Sequence, residues 1–338
     1  MLEKNYKEYL TPPIRKDRKP LQKLLPLDQP LRLLIDPCDM CNFRCNFCFQ
    51  SKKEFHGKKM SWEVFDKIVE QLKEFGEPIN VIHMYGLGEP MLNENLPQFV
   101  EIIKKNNLAK EVAITSNGSL LNQKISEELV KAGLDRLSIS LNGIEDENFK
   151  KNVGVNVNFE KIYHAIQYFY QIRGNCHLHV KINGEDYTED QKAKFVELFK
   201  DYTDSINIDH VVNVWPGMEV ISANDNRMYD YNLEGLSNKG ENLSEVCPLM
   251  FYELLIHPDG SVSPCAVDYE YKVENLGNIL NESIKKLWGS TRLKKMQINN
   301  LKGKDLGYNA CSKCSYTQCA ATVNITPFRN EILKKYEE

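Results

Sequence analysis

The chain has 338 residues, enough to bury a sizeable core and to hold more than one domain. Its net charge is −4 with acids and bases intermixed, which argues against a nucleic-acid footprint or a polybasic membrane patch. No apolar run approaches a transmembrane helix, and the start, Met1-Leu-Glu-Lys4, lacks the apolar stretch of a secretory signal, so a cytoplasmic protein without membrane or nucleic-acid partners is expected.

Residues 1–30 are polar and Pro-containing and read as an extension packed on the surface. From Leu31 the pattern alternates between short apolar runs and amphipathic stretches. Strands are predicted at Leu31–Asp36, Ile79–Tyr85, Glu111–Thr115, Leu134–Leu141, His177–Ile182 and Ile206–Val214. Between them, helices are predicted at Trp62–Phe75 (with Ser61 as N-cap), Leu96–Lys105, Asn122–Ala132, Phe159–Ile172 and Glu189–Tyr202. Such alternation implies βαβ units around a parallel sheet, with chemistry at the C-terminal ends of the strands. Pro216 and Gly217 mark a break, and residues 216–246 read as a linker. Phe251–Ile256 followed by His257-Pro-Asp-Gly260 reads as a β-hairpin with Asp-Gly at the turn. A helix is predicted over Ile284–Met296.

The ten cysteines fall into two groups. Cys38, Cys41, Cys45 and Cys48 lie in one short stretch, and Cys247, Cys265, Cys311, Cys314 and Cys319 lie near the C-terminus; Cys176 stands alone. Cys41, Cys45 and Cys48 give C-x3-C-x2-C directly after the first predicted strand. Three thiolates from one loop hold three irons of a cubane cluster and leave the fourth open to a substrate or cofactor. The competing readings are buried apolar cysteines, disulfide partners, which a cytosolic chain disfavours, or zinc ligands, although Cys41 to Cys45 is one residue too long for a zinc knuckle arm.

The second strand runs into Tyr85-Gly-Leu-Gly-Glu-Pro90, the third into Thr115-Ser-Asn-Gly118, and the fourth carries Ser138-Ile-Ser140 with both hydroxyls on one face. Each of these alone is also compatible with an ordinary strand-end turn or barrel-lining residue. In the register they occupy after the cysteine loop, they resemble the radical S-adenosylmethionine (SAM) superfamily. The resemblance includes Phe47 before the last cysteine, covers roughly residues 30–215, and implies a partial (β/α)6 barrel over 31–215. It further implies a [4Fe–4S] cluster on Cys41, Cys45 and Cys48 whose open iron chelates SAM. Phe47, Gly86, Gly88, Glu89, Asn117, Ser138, Ser140 and Lys181 are then expected to hold that cofactor.

The second group, Cys247-x12-Gly260-x4-Cys265 with Cys311-x2-Cys314, is similar to the small cysteine-rich SPASM/Twitch extension of such enzymes, over 247–338. A structural zinc is the alternative, since two pairs also suit zinc. With fewer cysteines than a complete two-cluster domain, the pattern is closer to the one-cluster Twitch form of 2-deoxy-scyllo-inosamine dehydrogenase-like members. The resemblance implies an auxiliary [4Fe–4S] cluster on Cys247, Cys265, Cys311 and Cys314, with Cys319 as an unassigned fifth. It implies reductive cleavage of SAM to a 5′-deoxyadenosyl radical that takes hydrogen from a substrate. An auxiliary cluster favours net two-electron oxidation, with Asp268 as a candidate base. A small polar substrate such as a sugar or aminocyclitol is expected, with a flavodoxin or ferredoxin as electron donor. Maturation of a ribosomal peptide is the second expectation, and a non-enzymatic iron–sulfur or zinc protein the third.

Overall fold

The computed structural model describes residues 6–10, 19–52, 54, 56–184, 187–209, 214–218, 244–271, 274–319 and 323–338, without the side chains of 318 and 319. Six strands alternate with helices: β1 (Arg32–Ile35), α1 (Trp62–Leu72), β2 (Ile79–His83), α2 (Leu96–Lys105), β3 (Ala109–Ser116), α3 (Gln123–Lys131), β4 (Arg136–Leu141), α4 (Asp146–Val153), α5 (Phe159–Ile172), β5 (His177–Asn183), α6 (Glu189–Phe199) and β6 (Ser205–Asp209). The strands pair in chain order, each parallel to the next. This is the parallel sheet of a partial barrel, as the alternation predicts.

Side-chain parity explains the layering. Leu137, Ile139, Val180 and Ile182 are fully buried with the helix residues Phe65, Phe99 and Ile166 in one continuous core. Their strand neighbours Arg136, Ser138, Ser140, His179 and Lys181 point the other way and are half-buried. The concave face is therefore polar and the convex face apolar. Phe65 of α1 and Phe99 of α2 stack at 3.9 Å and bind those helices to one another. Ser61 caps α1 by accepting from the Val64 amide, as expected.

The C-terminal region does not form a sheet of its own. β7 (Glu253–Ile256) pairs parallel with β1 over four residues, β8 (Ser261–Ser263) returns antiparallel through the His257–Gly260 turn, and β9 (Gly277–Asn278) follows. Gly260 sits at φ 83°, the left-handed conformation that the Asp-Gly signal anticipates. One nine-stranded sheet, in the order β6-β5-β4-β3-β2-β1-β7-β8-β9, thus runs through both cysteine-bearing regions. Beyond it lie α7 (Ile284–Trp288), α8 (Thr291–Leu301), α9 (Asn309–Ser312), α10 (Tyr316–Cys319) and α11 (Arg329–Glu337).

Three expectations need correction. The single helix predicted over Ile284–Met296 is two, broken at Gly289. Ser290 starts α8 by accepting from the Leu293 amide, so a capping residue stops one helix and begins the next. The helix from Trp62 ends at Leu72 and tightens to a 3₁₀ turn up to Phe75 before Gly76 at φ 79°. The last barrel strand is Ser205–Asp209 among the described residues; positions 210–213, and 219–243 of the expected linker, lie outside them. Some of the described residues before β1 make contacts with the rest of the chain. The Tyr6 hydroxyl donates to Glu189 of α6 at 2.7 Å, Leu21 and Leu25 are buried, and Trp288 donates to the Leu27 carbonyl at 3.0 Å.

Candidate active site

The loop after β1 carries the first cysteine group, and a buried polar frame fixes it. Asp36, at the end of β1 and fully buried, accepts from the Leu87 amide at 2.8 Å and the Cys38 amide at 3.3 Å. Burial pushes its carboxyl up to about 7, although those two amides oppose the rise. Gly88 lies so close that a Cβ there would fall 2.2 Å from the Met40 carbonyl and 2.3 Å from the Cys38 carbonyl. A Cβ on Gly86 would fall 2.5 Å from the Asp36 carboxylate. The Glu89 amide donates to the Met40 carbonyl at 2.8 Å. Gln50 bridges the two loops, donating to the carbonyls of Asp39 at 3.0 Å and Leu87 at 2.8 Å. The two glycines therefore let the β2 loop lie directly against the cysteine loop.

Glu89 is 2% exposed and shares its carboxylate among the Met91 amide, the Ser116 hydroxyl and the Asn117 amide, at 2.8–3.0 Å. Its contacts are with the chain itself, tying the β2 loop to the end of β3. Asn117 donates to Asn42 at 2.9 Å and lies 3.9 Å from the Cys41 Sγ, so the β3 end reaches the cysteine loop directly. From the far side, the Arg44 and Asn46 amides donate to the Val153 and Asn152 carbonyls of α4. Phe47 is half-buried. Ser138 pairs in register with Thr115 and His179, and Ser140 with Lys181. Lys181 makes a 2.7 Å ion pair with Asp209 at the end of β6.

Cys41, Cys45 and Cys48 are half-buried and share one environment. Burial pushes all three thiols up, Cys41 to about 11, and the charges of the neighbouring thiols add to the rise at Cys41 and Cys45. Thiols that would repel each other as thiolates are the donor set a multi-iron cation stabilises, because its ligands bind deprotonated. Cys38 is set apart: fully buried, its Sγ faces the Met40 carbonyl at 3.7 Å, and burial pushes it up to about 12.

The second group is gathered from distant parts of the chain. Cys247, Cys265, Cys311 and Cys314 line one cavity of about 270 Å³. Burial pushes the Cys265 thiol far up, and the charges of Cys311, Asp268, Cys314 and Cys247 push it further. Two of the four cysteines have a brace from a distant part of the chain. Asn300 of α8 accepts from the Cys247 amide at 3.2 Å and donates to its carbonyl at 2.8 Å. The Ala266 amide, next to Cys265, donates to Glu253 at 3.1 Å, and Glu253 is ion-paired with Arg32 of β1. Four thiols on one cavity are the number of ligands a cubane cluster takes, and also the number a tetrahedral zinc takes. The Cys319 side chain lies outside the described residues.

Asp268 is 1% exposed and close enough to Cys265 for its charge to push that thiol up. Its carboxylate accepts from the Ser263 hydroxyl at 2.8 Å, the Tyr308 hydroxyl at 2.7 Å and the Glu270 amide at 3.2 Å. Burial raises it, and those donors oppose the rise. The residues not anticipated from the sequence, namely Asp36, Gln50, Glu253 and Asn300, are all buried polar groups holding loop main chain. For Asp36 and Glu253 the available signal was a polar residue at the edge of an apolar run; Gln50 and Asn300 sit among other polar residues and gave none.

Comparison with known proteins places this geometry. The chain belongs to the radical SAM superfamily, whose sequence profile matches residues 35–208. The profile of SPASM, an iron–sulfur cluster-binding domain, matches residues 247–315. Membership implies a [4Fe–4S] cluster and SAM, and the SPASM domain implies auxiliary iron–sulfur binding. A probable GTP 3′,8-cyclase of Methanococcus maripaludis is 39% identical over 137 residues, covering 40% of this chain and 43% of that protein. The GTP 3′,8-cyclase of Aquifex aeolicus is 30% identical over 211 residues, covering 59% and 64% respectively. The chain thus matches less than two thirds of either relative's length, and neither name is that of a sugar dehydrogenase. Among solved structures, BtrN in complex with AdoMet and 2-DOIA aligns with a TM-score of 0.55 at 17% identity, over 87% of this chain and 95% of that one. SuiB of Streptococcus suis bound to its precursor peptide SuiA aligns with a TM-score of 0.64 at 15% identity, over 92% and 75%. At such identities these show the fold alone. No helix among the described residues is long and apolar enough to cross a membrane.

Proposed function

We propose that the protein removes a hydrogen atom from a small polar substrate in the concave face of the barrel and completes a two-electron oxidation, of the dehydrogenase kind, with the second cysteine site accepting an electron. Bound at the first site, the cluster and SAM supply the hydrogen-abstracting radical, while the protein supplies orientation and exclusion of water. Asn117, Ser138, Ser140 and Lys181 present polar groups from the ends of successive strands to the cofactor and its substrate. Phe47, Gly86, Gly88 and Glu89 shape and hold the loop beneath them. Asp268 acts through others in this reading, holding Ser263 and Tyr308 beside Cys265. The ring of Cys247, Cys265, Cys311 and Cys314 is the one-cluster Twitch arrangement.

The observation that carries the choice of substrate is the charge pattern of the concave face. Among the described strand residues its Lys and Arg are paired with carboxylates: Arg32 with Glu253, Arg136 with Glu111, and Lys181 with Asp209. A surface with donors and acceptors in balance suits hydroxyls and amines, as in a sugar or aminocyclitol, better than the concentrated negative charge of a nucleoside triphosphate. The similarity to GTP 3′,8-cyclases supports a second reading, radical cyclisation of a purine nucleotide.

The deciding experiment uses the anaerobically reconstituted, reduced protein with SAM. It should release methionine and 5′-deoxyadenosine, and a deuterated sugar or aminocyclitol substrate should pass deuterium to the deoxyadenosine. A Cys311→Ala/Cys314→Ala variant should keep that transfer and lose the oxidised product. Conversion of GTP to a cyclised product, with no deuterium transfer from sugars, would sink the first reading in favour of the second.

A further inference from the structure

One charged surface of the molecule has no part in the barrel chemistry. Residues 283–304 contain seven Lys or Arg and no Asp or Glu, in a chain whose net charge is −4. Five of the seven lie on α8 or just after it: Arg292, Lys294, Lys295, Lys302 and Lys304, all exposed. Arg292 is paired with Glu274 and Lys302 with Glu337, each at 2.6 Å. Lys294, Lys295 and Lys304 make no ion pair among the described residues. The helix itself carries no acid; the carboxylates beside it are Glu274, Glu337 and Asp305, fewer than the five cations.

The position of the patch gives it meaning. α8 buries Leu293, Met296, Asn300 and Leu301 and turns its cations outward. Asn300 on the inner side holds the main chain of Cys247. Gly303 and Lys304 line the cavity of the four cysteines, so the basic surface reaches the rim of that site. Arg292 and Lys295 line a second hollow of about 310 Å³ that shares Leu306 with the first. The aromatic side chains in and beside this stretch, Trp288 and Tyr308, are buried, so no ring stands ready to stack on a nucleic-acid base.

We propose that the outer face of α8 and the turn after it dock a small acidic one-electron carrier protein at the edge of the second cysteine site. The inference rests on that site holding an iron–sulfur cluster. Opposite charge would steer encounter and set orientation, an effect that falls with salt as the screening length shrinks from about 10 Å at 0.1 M to about 3 Å at 1 M. Docking at this rim lets one electron pass between the carrier and the auxiliary cluster, the carrier being oxidised by one electron and the cluster reduced, or the reverse.

The test uses the full chain with its clusters and flavodoxin as the probe. Affinity is measured at low and high salt, contacts are trapped with a zero-length carbodiimide, and flavodoxin hydroquinone reoxidation is followed by stopped flow. Wild-type protein should bind in a salt-dependent manner and cross-link through Lys294 or Lys295. Lys294→Glu/Lys295→Glu should weaken binding by about tenfold or more and slow flavin reoxidation, while dithionite-driven 5′-deoxyadenosine release stays unchanged. Lys294→Arg/Lys295→Arg should restore binding, which separates loss of charge from loss of fold. Unchanged affinity in the charge-reversed protein, cross-links confined to other surfaces, or tight binding of single-stranded RNA that the reversal abolishes would each overturn the docking site. Iron analysis keeps the two ideas apart: about four irons in the wild type would remove the second cluster itself, whatever the flavodoxin data show.

Discussion

The two cysteine sites solve the same problem in opposite ways. The first takes three thiols from one loop of eight residues, Cys41 to Cys48, and spends its surrounding structure on holding that loop still. Asp36, Gln50, Gly88 and Glu89 all act on main chain there, not on sulfur. The second draws four thiols from Cys247 to Cys314 and holds two of them by long-range contacts, Asn300 for Cys247 and the Arg32–Glu253 pair for the Cys265 turn. A loop that supplies its ligands locally can leave a coordination position open for chemistry. A set of four thiols assembled from three places can fill every ligand position of what it holds.

The contrast can be broken most sharply at the first site. Replacing Cys41, Cys45 and Cys48 together by Ala should abolish 5′-deoxyadenosine formation. It should also lower iron from about eight per chain to about four, since each cubane holds four. Loss of all iron would show that the two sites do not fill independently. A milder change is Gly88→Ala. The added Cβ collides with two carbonyls of the cysteine loop that are main chain and cannot swing aside, at a cost of about 1–3 kcal/mol for overpacking. First-site iron and SAM binding should fall while auxiliary iron persists; equal loss at both sites would contradict the separation. The smallest effect is expected for Asn300→Ala, which removes two hydrogen bonds to Cys247, worth about 1 kcal/mol each. Electron paramagnetic resonance of the auxiliary cluster should change, with SAM cleavage at the first site untouched.

What could be read from the sequence follows the same divide. The triad, the Gly-x-Gly turn and the strand-end hydroxyls are each local in sequence, and they stand where β1 to β4 end. The hairpin turn at Asp259-Gly260 was legible for the same reason. The braces were not. Arg32 and Glu253 are 221 positions apart, and nothing in either neighbourhood announces the other. α4 was missed because it is eight residues long and mostly polar, so its two buried side chains, Phe149 and Val153, leave little periodic signal. The break at Gly289–Ser290 was hidden by a hydrophobic spacing that continues across it. The concave-face pairs Glu111–Arg136 and Lys181–Asp209 depend on strand register, which a single sequence does not give.

The parallel pairing of β1 with β7 has a consequence for how the molecule comes into being. β1 is synthesised before both of its neighbours, and its Arg-Leu-Leu-Ile ladder is flanked on one side by β2 and on the other by β7, which follows some two hundred residues later. Until β7 arrives, one side of β1 is a bare apolar edge beside an unfilled cysteine loop, the kind of edge that templates association between nascent chains. The C-terminal domain is thus the strand that shuts the barrel's open edge as well as a holder of thiols. A shortened chain carrying the first motif intact would inherit the chemistry's ligands without the protection that keeps them apart from its neighbours.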